Sequence, residues 1–456
     1  MSDQLEKLIK KYNVPAPRYT SYPTVPFWEE ENPDQDQWYQ QVKRIFEESN
    51  QTRGISLYIH LPFCESLCTY CGCNKRITKN HAVEDPYIQS VLMEWARYQS
   101  LFSESPVLRE IHLGGGTPTF FSPENLKLLV EELFRGAVIH QQPEFGFEGH
   151  PNNTTRRHLE ILFESGFNRV SFGVQDFDEK IQRTINRIQP FNKVKEVTLA
   201  AREIGYESVN YDLVYGLPFQ TVQIIEHTIK RVEELMPERI AFYSYAHVPW
   251  KMPSQRGYSE KDLPNDHQKR MLYETGKEKL LSLGYKEIGM DHFALPQDTL
   301  YQAKEEGRLH RNFMGYTTSP SELMIGLGVS AISDAKYAYA QNLKKVEEYH
   351  EAIQNDRSVL TKGHFLTDED LMLKRKIIEL ACNGRTIITD QVKTSMTDLA
   401  KEELLIMKDE GLVVLEEDNI IVTDLGLKFI RNICKLFDAR LNSKSGTRDN
   451  VFSKAI

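Results

Sequence analysis

Four of the chain's six cysteines stand inside one ten-residue stretch, CESLCTYCGC, as Cys64, Cys68, Cys71 and Cys73. Thiols this close are read as metal ligands or redox groups rather than disulfide partners wherever the compartment is reducing. A cubic iron–sulfur cluster has four irons, and its common electron-carrying form takes one thiolate on each. Cys64, Cys68 and Cys71 would serve three irons and leave the fourth open to an outside chelator, which suits catalysis better than electron carriage. Two other arrangements remain open from spacing alone. Cys73 could close the cluster into a saturated carrier, although one residue separates it from Cys71. A structural zinc would want two Cys or His pairs a dozen or more residues apart, and no second CxxC is present.

The elements that must position these thiols are legible as alternating runs. ISLYIHL, REIHLGGG, EFGFEG, NRVSFGVQ, SVNYDLVYG and RIAFYSYAH are short, β-branched or aromatic, and each is followed by a helical pattern. Such alternation predicts a parallel sheet with right-handed crossovers, and six units predict an incomplete (β/α)6 barrel of TIM-like type. Barrel chemistry collects at the C-terminal strand ends. There the sequence places the cysteine loop, GGGTPT (114–119), Glu148, Gln175, Asp212 and the pair Ala246–His247, six candidates for one shared mouth.

The 456 residues exceed one ordinary core, and three zones are expected: an extended arm over 1–53, the catalytic barrel and its extension over 54–340, and a smaller, mainly helical domain over 341–456. The last contains GLVVLEEDNIIVTDLG, a predicted β-wing. Its basic and acidic residues nearly balance, and the chain carries a net charge of -9, which argues against nucleic acid as a partner. No apolar run approaches the roughly 20 residues of a membrane helix, and no export signal opens the chain, so a cytoplasmic protein without membrane insertion is expected.

The C-x3-C-x2-C pattern with Tyr70 before its third cysteine resembles the radical S-adenosylmethionine enzymes, and GGGTPT resembles their glycine motif. More narrowly, PRYTSYPT (17–24), SLYIHLPFC, CGCNK, GFNRVSFGVQDF, DLVYGLP, YAHVP, GMDHFALP, LHRNFMGYTT, GVSAIS and RNICKLFD make the chain similar to the oxygen-independent coproporphyrinogen III oxidases of haem biosynthesis. These stretches run from near one terminus to near the other. The arm and the C-terminal stretch favour an oxidase over two related readings, a haem-opening methyltransferase and a non-catalytic haem chaperone.

The resemblance implies a barrel of radical S-adenosylmethionine type and a reaction without oxygen. Two propionates of coproporphyrinogen III become vinyls, giving protoporphyrinogen IX, through a 5'-deoxyadenosyl radical. It implies one 4Fe-4S cluster on Cys64, Cys68 and Cys71, with Cys73 a non-ligand needed for activity. It also implies two S-adenosylmethionine molecules. Tyr58, Gly115, Glu148 and Ile332 match the iron-bound one; Tyr70, Gly116, Thr117, Gln175, Arg187, Asp212 and Ala246 match the second. Cys73 and Glu148 are the catalytic candidates. An electron donor, an unidentified electron acceptor and a monomeric state complete the expectation. The substrate's four carboxylates need cations, and Arg18, beside Tyr19 on an arm that folds over the mouth, and Arg311 are the candidates. Cys382, Cys434, His247 and His292 read as structural. Two positions depart from the usual pattern: His150 stands where an acid is usual, and Met314 where a Gln is.

Overall fold

The computed structural model describes residues 3–319, 321–443 and 452–453. All six expected runs form strands: β1 (Ile55–Leu61), β2 (Val107–Gly115), β3 (Val138–Gly149), β4 (Arg169–Gln175), β5 (Ser208–Tyr215) and β6 (Arg239–Ser244). They pair in parallel and in chain order. The helices between them start at side-chain caps, among them Ser122, Thr155 and Thr221, each of which accepts a backbone N–H of the first turn. A seventh parallel strand, β7 (Met324–Leu327), lies on the free side of β1 and was not expected. Antiparallel strands extend both edges, from Glu30–Glu31 at one end to Lys286–Gly289 at the other, and the sheet does not close on itself. The incomplete α/β barrel of the sequence reading is therefore the architecture observed.

Period-two alternation gives this barrel two unlike faces. In β1, Ile55, Leu57, Ile59 and Leu61 are fully buried against the helices, while Ser56, Tyr58 and His60 take the opposite phase. In β5, Val209, Tyr211 and Leu213 join the same core, and Ser208, Asn210 and Asp212 line the lumen. The lumen is consequently polar, with a cavity of about 150 Å³. Its charges are paired or hydrogen-bonded: Arg239 reaches Asp298 at 2.7 Å, Arg169 reaches Glu144 at 2.8 Å, and Glu110 accepts hydrogen bonds from the hydroxyls of Ser56 and Thr317, both at 2.8 Å. Buried charges that are paired in this way avoid the several kcal/mol that an isolated buried ion costs.

The N-terminal 53 residues depart from the extended arm expected of them. Asp3–Tyr12 and Gln35–Arg53 are helices. In the second, Trp38, Val42, Ile45 and Phe46 fall at i, i+4, i+7 and i+8, one stripe, and enter the barrel core. Only the irregular segment between the helices is arm-like. It packs with the C-terminal module, whose core takes in Leu8, Tyr12, Tyr19 and Tyr22. Arg431 donates to the carbonyls of Ala16 and Pro17, and Asn432 to that of Tyr12. In that module Val413–Glu416 and Asn419–Val422 form the expected hairpin, joined by a third strand, Arg385–Ile387. Ala338–Asn342, which spans the expected boundary at 340, is a strand of the main sheet.

Arg18, expected to be free for an anion, is turned onto Asp291 at 2.5 Å. Burial alone would raise the Asp291 carboxyl; the Arg18 charge, with the His292 ring 3.4 Å away, holds it well below its ordinary value. Asp291 is only 8% exposed, so removing its partner strands a buried carboxylate. Arg18→Ala is expected to lower unfolding free energy by about 3 to 5 kcal/mol, read from the denaturant midpoint, and Arg18→Ala with Asp291→Asn to recover most of it. An unchanged midpoint in the single variant would show that the pair is not a structural pin.

Candidate active site

The cysteine loop leaves β1 through Phe63–Cys64, which bridges in parallel to Arg76–Ile77 and so closes the loop on itself. Its middle is tied to the loop after β4: the Thr69 N–H donates to the Ile185 carbonyl at 3.0 Å, and the Asn186 amide to that of Leu67 at 2.8 Å. Gln255, 1% exposed, donates to the carbonyls of both Tyr70 and Ala246, clamping this loop to the end of β6. No sequence signal singled out Gln255, because its role depends on a contact across 185 residues. Among the described residues no three His, Cys, Asp or Glu side chains are arranged around a single ion, an arrangement that thiols taking separate irons do not need.

The glycine turn is shaped by close packing. A Cβ on Gly116 would lie 2.5 Å from the Pro62 carbonyl group, one on Gly115 would lie 2.7 Å from the His60 ring, and one on Gly114 would lie 3.0 Å from both Tyr58 and Glu148. Without side chains the turn docks on the end of β1, and the N–H groups of Gly116 and Thr117 donate to the carbonyls of Leu61 and Phe63. The Thr117 hydroxyl lies 3.3 Å from Cys64 Sγ. Burial raises the Cys64 thiol to about 11, against the pull of that hydroxyl. The neighbouring Cys73 thiol lowers that of Cys71 to about 6, and Cys71 in turn raises that of Cys73.

Two carboxylates face the turn. Glu148 accepts the Gly115 N–H at 3.2 Å and a hydrogen bond from His112 at 3.3 Å. Burial would raise its pKa, but these donors hold it below the ordinary value. His112 stacks on Tyr58, whose hydroxyl meets His60 Nδ1 at 3.1 Å. His60 Nε2 faces the Asn74 carbonyl at 2.9 Å, and a carbonyl only accepts, so Nε2 carries the proton and Nδ1 receives the Tyr58 hydroxyl. Asp212 accepts from Ser171 and Asn210. Burial, then the charge of Glu148, raises it to about 6.

These groups meet in one cavity of about 440 Å³. Of the expected site residues, Cys71, Cys73, Tyr70, Gly115, Gly116 and Thr117 line its cysteine side. Glu148, Gln175, Arg187, Asp212 and Ala246 line its barrel side. Gln175 ends β4 at φ 67°, a left-handed conformation uncommon for a side-chain-bearing residue. Four expected residues do not line the cavity. Cys64 and Cys68 lie behind the turn and beside Arg187; Tyr58 supports Gly114 from below; and Ile332 sits in a strand pairing with Ala338–Asn342. Arg187 donates to the Gly173 carbonyl at 2.6 Å and lies 3.5 Å from Cys68 Sγ, so its fork is engaged by the protein. Tyr243, Tyr245 and Met252, which sequence reasoning passed over, complete the wall. His150 is also there, held neutral by burial and by the Arg187 charge, whereas Met314 lines the lumen. Arg311, the other expected anion cation, is 4% exposed, bonded to the Arg18 carbonyl and set over Tyr316.

Comparison with known proteins decides the family. The Radical SAM superfamily profile matches residues 58–232. The oxygen-independent coproporphyrinogen III oxidases of Pseudomonas aeruginosa and Escherichia coli are 36% and 39% identical to the chain, each over 98% of both proteins. The chain belongs to this oxidase family. The solved structure of the Escherichia coli coproporphyrinogen III oxidase, titled a radical SAM enzyme, superposes with a TM-score of 0.86 at 37% identity, covering 95% of this chain and 98% of that one.

The residues present fit the cofactors of such an oxidase. Three thiols on one anchored loop suit a 4Fe-4S cluster with an open iron. Two carboxylates facing a cavity of this size suit S-adenosylmethionine, which carries a sulfonium and an amino group. Two predictions follow from the geometry. Gly116→Ala drives a methyl into the Pro62 carbonyl; the barrel's circular dichroism should persist while reconstituted iron is mostly lost, and full iron loading would show that the turn does not set the loop. For Asp212, a cationic ligand favours the ionised form, and protonation dominates below about pH 6. S-adenosylmethionine affinity should therefore be flat above about pH 6 and weaken by up to about tenfold per unit below it. Asp212→Asn should flatten the profile; an unaltered profile removes Asp212 from the site.

Proposed function

We propose that the chain carries out the oxygen-independent decarboxylation of two propionates of coproporphyrinogen III to vinyls, yielding protoporphyrinogen IX. The observation that carries this reading is similarity to the oxidases over the whole length, arm and C-terminal module included. When bound, the cluster and S-adenosylmethionine supply a one-electron cleavage that gives a 5'-deoxyadenosyl radical able to take hydrogen from a propionate β-carbon. The protein's own part is placement. The turn at Gly114–Gly116 and the clamp at Gln255 fix the cysteine loop against the strand ends. Glu148, ionised and braced by His112 and the Gly115 N–H, accepts from the amino or ribose groups of an iron-bound S-adenosylmethionine. Asp212 does the same for a second molecule on the Gln175 and Ala246 side, and the enclosing wall of Tyr243, Tyr245 and Met252 limits water.

Cys73, exposed beside Cys71, acts as a non-ligand in electron or hydrogen transfer. In this reading the enzyme is a cytoplasmic monomer that takes electrons from a reduced donor and returns one per round to a separate acceptor. Among the described residues no helix is long and apolar enough to cross a membrane.

The test is an anaerobic assay with coproporphyrinogen III, S-adenosylmethionine, reductant and a cell extract as source of acceptor, with tetrapyrroles and methionine both quantified. Protoporphyrinogen IX formation coupled to methionine release is expected. Cys73→Ser should keep about four irons per chain and lose most product. Loss of the cluster in that variant alone would make Cys73 a ligand and overturn its assignment.

A further inference from the structure

Beyond the cysteine loop lies an open groove of about 740 Å³. It shares Gly72, Cys73 and Met252 with the active cavity and so forms its outer vestibule. In a chain of net charge -9, the groove's walls contain Lys75 and Lys344 and, among the described residues, no carboxylate. Neither lysine makes an ion pair among the described residues, whereas the neighbouring Arg76 and Lys345 pair with Glu347 and Glu348. The Lys75 ammonium donates to the Cys71 carbonyl at 3.0 Å, which fixes it at the groove's inner edge. Lys344 is exposed at the outer edge, and Asn74 ties the two sides together by donating to the Lys344 carbonyl at 2.9 Å. Between them lies Gln341, 8% exposed, whose amide oxygen has no hydrogen-bond partner. Arg18 is committed to Asp291 and Arg311 is buried, whereas Lys75 and Lys344 stand in the wall of a groove that also holds Cys73.

We propose that this vestibule binds the tetrapyrrole, with Lys344 and Lys75 taking carboxylates of propionates that are not reacting. The inference rests on the function proposed above and names the substrate site that function requires. The groove's volume lies within the range of small-molecule sites, roughly 300 to 1,000 Å³. Its position brings one edge of a bound macrocycle to Cys73 while the opposite edge stays at the rim. Two lysines, point charges on flexible stems, suit a substrate that must be held twice in different orientations, once for each propionate.

Lys344 is the residue to test, because it is exposed and lies outside the cysteine loop. Binding is measured with coproporphyrin III, the oxidised tetracarboxylate that cannot turn over, on the intact, iron-loaded chain. Lys344→Ala should weaken binding about threefold and Lys344→Glu about tenfold, with a shallower salt dependence in both. Lys344→Arg should bind as the parent does. In turnover driven by dithionite, the loss should fall on KM for coproporphyrinogen III rather than on kcat. Unchanged coproporphyrin affinity in a folded Lys344→Glu would overturn the proposal. So would a defect that appears only when a protein electron carrier replaces dithionite, since the groove would then be the carrier's docking face. If the unsubstituted chain binds coproporphyrin III but makes no vinyl product, the proposed reaction fails while the binding site stands.

Discussion

Everything at the active site depends on a contact that tolerates no side chain. The turn at Gly114–Gly116 presses against the end of β1 so closely that a Cβ would lie within 3.0 Å of a neighbour at each of its three residues. Because it docks there, the cysteine loop leaves β1 in a fixed direction, the Thr117 hydroxyl meets Cys64, and the Gly115 N–H meets Glu148. One backbone approach thus sets the mutual position of thiols and carboxylate, groups that come from three different strands. Packing and chemistry are the same interaction here, which is why a single methyl is expected to reach the metal site.

The second constraint is the polarity of the lumen. Most (β/α) barrels fill their interior with branched apolar side chains; this one sends Ser56, Glu110, Arg169, Asp212 and Arg239 inward. Pairing satisfies the lower layer, where Arg239 holds Asp298 and Arg169 holds Glu144. Nearer the mouth, Asp212 accepts from the neutral Ser171 and Asn210, and burial, then the charge of Glu148, raises its carboxyl to about 6. The protein has left one negative site incompletely compensated at the place where a cationic ligand would complete it. Functional sites are where such perturbed groups gather.

How much of this was legible beforehand depends on sequence separation. The thiol spacing, the six strands and the strand-end candidates are local patterns, and of the eleven cavity-lining residues among the expected set most come from those patterns, while Tyr70 and Arg187 come from the family resemblance. Side-chain commitments across the fold are not local. Arg187 lines the cavity, and only the fold shows that its donors also go to Gly173 and toward Cys68. Gln255 reads as an ordinary polar residue of a 3-10 turn, and only folding reveals that it joins two loops. The helix Gln35–Arg53 was legible in principle, since Asp34 caps it and its apolar residues keep helical spacing, but the prolines before it dominated the reading.

The arm shows why charge type alone misleads in a search for anion sites. PRYTSYP offers a cation on a stiff segment before the barrel, which suggests a lid, and the structure does bring Arg18 close to the mouth, 5.8 Å from the Tyr243 ring. An arginine whose fork finds a carboxylate within the fold, however, has little left for a ligand. Arg18 has Asp291, and Arg431 is spent on the carbonyls that lead into it. The arm therefore acts as a strap, joining the last β-strands of the barrel to the C-terminal module, and its aromatic residues explain its length better than its charge does. Cations free to meet a tetra-anion must lie where no acid has been placed opposite them. The groove beside Cys73 is such a place, because among the described residues its walls carry no carboxylate.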